Sequence, residues 1–245
     1  MSEPAIVVQG LKKRFMIRRE SQPSLKRVFT RMLRPFPTEV LWALNGISLT
    51  VNPGEAVGVI GSNGSGKSTL LRILAGIYVP TAGEVTLRYP AGGLFELGAG
   101  FATELSGRDN IFLSGALMGI SPRVVRASME EIIELSELGD FVDVPLKSYS
   151  SGMGLRLGFA IAITFAPEIL LLDEILTAGD AHFQHRAYTI LRQMLASNSS
   201  LVMVSHEMTA IRNLCTRVIW LEGGLVQRDG PTDEVVDEYL AQADA

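Results

Sequence analysis

Gly61-Ser62-Asn63-Gly64-Ser65-Gly66-Lys67-Ser68-Thr69 decides how this 245-residue chain is read. The apolar run Glu55-Ala56-Val57-Gly58-Val59-Ile60 precedes it, and Leu70-Leu71-Arg72-Ile73-Leu74-Ala75 follows. That order is strand, glycine-rich turn and helix, on the phosphate-binding pattern G-x-x-x-x-G-K-[ST]. The glycines let the backbone fold into a nest of inward-pointing N–H groups, and the helix start adds its positive end. Lys67 would reach the β- and γ-phosphates of a nucleotide, and the Ser68 hydroxyl would hold Mg²⁺.

The chain is 47% hydrophobic and 20% charged, a globular composition long enough for one large domain or two small ones. A formal net charge of -4 gives no support to nucleic acid as the main partner. The single cysteine, Cys215, excludes an internal disulfide and fits a reducing compartment. Its setting, Asn213-Leu214-Cys215-Thr216, reads as a buried small apolar position. Met1 to Gly10 lacks a basic start and a long apolar run, so no signal peptide is expected. The longest apolar stretch, Leu157 to Ala166, is stopped by Pro167 and Glu168 and is too short to span a bilayer. A soluble or peripheral protein is expected, with any spanning left to a partner chain.

Residues 5–9 read as a first strand, and Phe15 follows two lysines and an arginine. Residues 18–34 hold six basic side chains against Glu20 alone, a net +5 that leaves -9 for the rest. Leu25, Val28, Phe29, Met32 and Leu33 form one apolar stripe at helical spacing, ended by Pro35 and Pro37. Such a helix either packs on its own domain with a solvated basic face, or meets anionic lipid head groups or a membrane partner. Leu41 to Val51 is strand-like, and further strands are expected at Gly83–Tyr89 and Gly93–Glu96. Residues 107–137 look mostly helical, with Ser121-Pro122 at an N-cap and first helical position. The chain then alternates: helix from Leu155 to Phe165, strand at Ile169–Leu172, helix at Ala181–Ala196 and strand at Leu201–Val204. Strands at 216–222 and 225–229 and a closing helix from Pro231 complete it, as in a parallel sheet covered by helices.

Asp173 and Glu174 end the buried strand Ile169–Leu172. Ligands of parallel sheets bind at the carboxyl ends of strands, so both acids would project beside the phosphate loop. Asp173 would then serve Mg²⁺, and Glu174 would polarise the water that attacks the γ-phosphate. His206 ends the next strand, where it would hydrogen-bond a γ-phosphate oxygen. His182 and His185 share a helix with no third ligand evident, which argues against a metal site there. Ser150 to Gly154 places a hydroxyl and glycine N–H groups at a helix start, an anion-binding end. One such site already exists in the phosphate loop, so the second makes sense if it serves a nucleotide held by another copy of the domain.

These residues together resemble the ATPase subunit of an ABC transporter along nearly the whole chain. Gly61 to Thr69 is similar to the Walker A loop, and Ile169 to Glu174 to the Walker B strand with its catalytic glutamate. Ser150-Ser151-Gly152-Met153 resembles the signature motif, Ala178-Gly179-Asp180 the loop that crosses the dimer interface, and His206 the switch histidine. By the same resemblance Phe15 stacks on adenine. Trp42-Ala43-Leu44, Phe95 to Phe101, Tyr149 to Met153, the basic insert and Ile175 after Glu174 look most like the subfamily exporting O-antigen, capsule or teichoic acid. The sequence departs from the family in three places: Glu96 stands where a Mg²⁺-coordinating glutamine is usual, Ser151 replaces a glycine, and Met153 a glutamine.

The resemblance implies an α/β P-loop NTPase core with a parallel sheet, an N-terminal antiparallel β subdomain and a helical subdomain. The expected division is one domain: about 1–96 and 146–245 form the catalytic core, about 97–145 the helical subdomain, and about 18–40 the basic insert. It implies ATP and Mg²⁺, the latter on Ser68, Asp173 and Glu96, and catalysis by Lys67, Glu174 and His206. It further implies a homodimer that sandwiches ATP between Lys67 of one copy and Ser150 and Gly152 of the other. A multispanning permease subunit, and a peripheral place on the cytoplasmic face of the membrane, complete the expectation. Because the chain stops soon after its last helix, selection of glycan termini is expected to happen elsewhere. The competing class is a soluble ABC ATPase of nucleic-acid repair or translation, which needs a long coiled coil or a tandem second domain. A small-molecule kinase would not need the Ser150 motif.

Overall fold

Strand β3 (Ala56–Ile60) is buried over all five residues. It lies inside a six-stranded sheet between β7 (Ser200–Val204) and β8 (Arg217–Glu222), both parallel to it. Beyond β7 lie β6 (Ile169–Leu172) and β5 (Ala91–Gly93), also parallel; beyond β8, β9 (Leu225–Pro231) runs antiparallel. The computed structural model describes residues 3–18, 38–93, 98, 100–165, 167–173 and 180–243.

The apolar runs of these strands are continuous because both faces of the sheet are covered. Successive side chains point to opposite faces, so each run divides between two cores. Val57, Val59, Ile169, Leu171, Val202, Val204, Ile219 and Leu221 enter one core. Ala56, Ile60, Leu170, Leu172, Leu201, Met203, Val218 and Trp220 enter the other. The first core is closed by α1 (Lys67–Leu74) and by an antiparallel sheet in the order β2 (Thr38–Val51), β1 (Ile6–Arg18), β4 (Ala82–Leu87). The second is closed by α5 (Ser151–Thr164), α6 (Ala181–Ala196), α7 (Met208–Leu214) and α8 (Thr232–Ala243).

A third core joins α2 (Gly107–Leu117), α3 (Pro122–Ala127) and α4 (Met129–Ser136) to Leu157, Ala160 and Ile161 of α5. Ser106 caps α2 and Ser121 caps α3, with Pro122 at its first position. Two short 3-10 turns, Gly139–Asp143 and Leu146–Ser148, lead back to α5.

Two expectations need adjusting. β1 runs to Arg18 where 5–9 was expected, because Lys12 and Arg14 point to solvent from an outer layer that carries charge on its open face. Register shifts near Gly10 keep Leu11 in the core. α7 was not anticipated, and the strands expected at 216–222 and 225–229 pair as an antiparallel β8–β9 hairpin beside the parallel strands. β5 covers Ala91–Gly93, and of the strand expected at Gly93–Glu96 only Gly93 falls within the described residues. The basic stripe of 19–34, Glu96 and Glu174 lie outside the described residues.

Candidate functional site

Four parallel strand ends meet at one edge of the large sheet. From β3 the chain enters the loop at Gly61; β6 delivers Asp173, β7 delivers Ser205 and His206, and β8 ends at Glu222. A cleft of about 520 Å³ opens there. Its floor is Asn63, Gly64, Gly66, Lys67, Ser68 and Thr69; one wall is Asp173 and His206; the other is Phe15, Leu41 and Ala43 from β1 and β2.

The loop geometry is set by contacts that no bulkier residue would permit. Gly66 caps α1 with φ 108, and a Cβ there would lie 2.4 Å from the Ala43 carbonyl oxygen. The Gly66 cap supplies no side chain, and the first turn of α1 holds no acid. The helix therefore presents its first N–H groups and the positive end of its dipole to the cleft, which fits a phosphate. Lys67 is buried and donates from Nζ to the carbonyls of Gly61 (2.8 Å) and Ser62 (2.9 Å), folded against the loop it follows. Ser65 Oγ is buried beneath the loop without a hydrogen-bond partner.

The β8–β9 hairpin is a support that the motif reading missed. Its two-residue turn, Gly223-Gly224, has both residues at positive φ, as a tight hairpin turn requires. Gly224 N–H donates to the Ser65 carbonyl at 3.1 Å, and its own carbonyl accepts from Asn45 N–H at 2.8 Å. Ser62 Oγ lies 2.6 Å from Glu222 Oε1. The phosphate loop is thus pinned between both sheets. The Gly-Gly pair after a strand was the available signal, and it marked a turn without saying what the turn leans on.

On the β1 wall, Phe15 meets Tyr78 edge to face with ring centres 5.6 Å apart. Lys13 Nζ lies 5.2 Å from the Phe15 ring centre and donates to the Val79 carbonyl at 2.8 Å. Tyr78 and Lys13 therefore hold the ring in place from behind the cleft wall. On the opposite wall, Ser205 is buried and its Oγ accepts the Glu207 N–H at 3.0 Å, which fixes the turn that exposes His206.

Ser150, Gly152 and Asp180 are elsewhere: none lines the cleft. Ser150 is exposed and caps α5, its Oγ accepting Met153 N–H at 3.2 Å. Asp180 caps α6 by accepting Phe183 N–H at 2.9 Å and also pairs with Arg156. Those contacts hold its carboxyl below the usual carboxylate range, the backbone bond being the larger cause. Cys215 is buried, and burial pushes its thiol up to about 12. Among the described residues there is no cluster of acids, histidines or cysteine arranged to hold a metal by itself. None of the described helices is long and apolar enough to cross a membrane.

Comparison with known proteins agrees with this geometry. The profile of the ABC transporter family matches residues 44–177. The chain is 41% identical over 244 residues to the O-antigen export system ATP-binding protein RfbB of Myxococcus xanthus, covering 97% of this chain and 56% of that protein. It is 42% identical over 197 residues to RfbB of Klebsiella pneumoniae, covering 80% of each. It is 38% identical to the teichoic acids export ATP-binding protein TagH of Shouchella clausii, covering 96% of this chain and 65% of that one. The chain therefore spans little more than half the length of the Myxococcus relative. In fold it matches the dimeric post-hydrolysis ATP-binding cassette MJ0796 bound to ADP and phosphate, with TM-score 0.74 and 22% identity over 93% of this chain and 98% of that one.

Proposed function

The chain belongs to the ABC transporter family, and from that premise we propose that it is the ATP-binding and ATP-hydrolysing subunit of an exporter of a polysaccharide or lipid-linked glycan. The observation that carries the ATPase reading is the convergence in one cleft of Phe15, the phosphate loop, Asp173 and His206. The names of the O-antigen and teichoic acid relatives support the glycan cargo.

In this reading adenine stacks on Phe15 and the phosphates lie on the loop. Lys67 leaves the Gly61 and Ser62 carbonyls for the β- and γ-phosphates. Ser68 and Asp173 would hold Mg²⁺, which neutralises phosphate charge when bound; a hydroxyl and a carboxylate facing one cleft are suitable oxygen donors. His206 donates to a γ-phosphate oxygen, and Glu174 accepts the proton of the attacking water. Glu96, in the sequence position of the family's Mg²⁺-coordinating glutamine, would join Ser68 and Asp173 on the ion. Ser150 and Gly152 lie outside the cleft of their own chain, which suits them to close the cleft of a second copy.

The chain acts as one domain, about 1–96 and 146–245 as the catalytic core and about 97–145 as a helical subdomain. The helical part meets a multispanning permease at the cytoplasmic face of the membrane. The basic sequence of residues 18–34, net +5, supports a contact with that partner or with anionic lipid.

Glu174→Gln tests the reading directly. Turnover should fall by ~10²–10⁴, the size of a general-base effect, while ATP affinity stays within twofold. Undiminished hydrolysis would remove Glu174 from the mechanism. Co-purification of the unaltered chain with a membrane permease tests the transport half.

A further inference from the structure

One arginine ties together the two segments that this chain would offer to a neighbour's nucleotide. Arg156 lies in α5 six residues after Ser150, about 9 Å along the helix axis. Its Nη1 donates to Glu137 Oε2 at 3.0 Å, and its Nη2 to Asp180 Oδ2. Glu137 follows α4 in a left-handed conformation, φ 53, and its second oxygen accepts from Arg186 of α6. His182 Nδ1 stands 3.9 Å from the same oxygen.

This one guanidinium, from the first half of α5, joins the C-terminal end of α4 to the N-terminal end of α6. The Arg156 and Glu137 side chains are each only 25% exposed, and Arg156 lies over the Phe183 ring, 5.8 Å from its centre. A fixed, partly desolvated guanidinium that bridges two carboxylates is a stronger constraint than a surface ion pair. None of its members lines the nucleotide cleft of its own chain.

We propose that Arg156 is a positioning residue for the active site of a second copy of this chain, holding the Ser150 end of α5 and Asp180 at a set spacing so that both reach the neighbour's nucleotide together. The proposal rests on the shared-site reading above and adds the residue that sets its geometry. It makes an asymmetric demand: loss of Arg156 spares the nucleotide bound by the same chain and weakens the closure of two chains over it.

The test is made in the Glu174→Gln chain, which is expected to bind ATP without turning it over. Arg156→Met removes the charge, and Arg156→Lys keeps a charge too compact to bridge both acids. Sedimentation velocity with ATP and Mg²⁺ measures dimerisation, and a fluorescent ATP analogue at dilute protein measures binding to the monomer. The expected result is monomer affinity within twofold for both variants, and dimerisation ~10-fold weaker for each. If Arg156→Met does not fold, Arg156→Lys carries the test alone. Full dimerisation of Arg156→Lys, or a loss of monomer binding in parallel with dimerisation, would overturn the proposal. Failure of the Glu174→Gln parent itself to dimerise with ATP would instead sink the shared-site reading, and the proposal with it.

Discussion

Gly66→Ala, set beside Gly64→Ala, isolates the cost of the close approach between the phosphate loop and β2. Both glycines have positive φ, 108 and 81, so both substitutions carry left-handed strain of roughly 1–2 kcal/mol. They differ in what the new methyl meets. At Gly64 nothing lies within 4 Å, whereas at Gly66 the Ala43 carbonyl oxygen is at 2.4 Å and Leu44 Cδ2 at 2.7 Å. A backbone carbonyl cannot swing aside like a side chain, so β2 and the loop must separate. Overpacking of that kind adds roughly 1–3 kcal/mol. In a domain of this size 1 kcal/mol moves the melting temperature by ~2–4 °C. At the middle of that range, thermal unfolding without nucleotide should drop by ~3–6 °C for Gly64→Ala and by ~6–15 °C for Gly66→Ala. Equal drops would refute the reasoning, because they would mean that the contact with Ala43 carries no strain.

Phe15→Ala should weaken ATP binding about 10-fold, since base–aromatic stacking is worth ~1–3 kcal/mol, yet leave competition by inorganic tripolyphosphate unchanged. Cys215, buried with its thiol pushed up to about 12, should resist maleimide at pH 8 and react only as the chain unfolds. Asp180 has a carboxyl held below its ordinary range by the Phe183 N–H and then by Arg156. A depressed folded pKa stabilises above the unfolded value and is lost as pH falls through the folded one. The difference in melting temperature between the parent chain and Asp180→Asn should accordingly be flat at neutral pH and shrink below about pH 4.

Much of the site was legible because its chemistry is local in sequence. The phosphate loop needs its glycines, lysine and serine in one short run, and β6 and β7 hand over Asp173 and His206 directly at their ends. Composition exposed the strands where both faces are buried, as in Ile169–Leu172, since such runs are apolar throughout. It failed where one face is solvated: Lys12 and Arg14 hid the continuation of β1 toward Phe15. The hairpin support was illegible for a different reason. Gly224 lies far from Ser65 along the chain, and only the meeting of β8 with β3 brings its N–H to the loop carbonyl. Likewise Arg156, Glu137 and Asp180 come from three helices, and no spacing rule links them.

Helix α5 has one more consequence. Phe159 keys it to the core beneath the large sheet, while Leu157, Ala160 and Ile161 key it to the core of α2–α4. It is a lever with its tip at Ser150 and its body gripped on two sides. Phe159 lies nine residues, about 14 Å, from Ser150, so a tilt of ~10° about that grip carries the tip through ~2 Å. A shift of that size is enough to break a hydrogen bond. A small rocking of the helical layer is enough to engage or release whatever the tip touches.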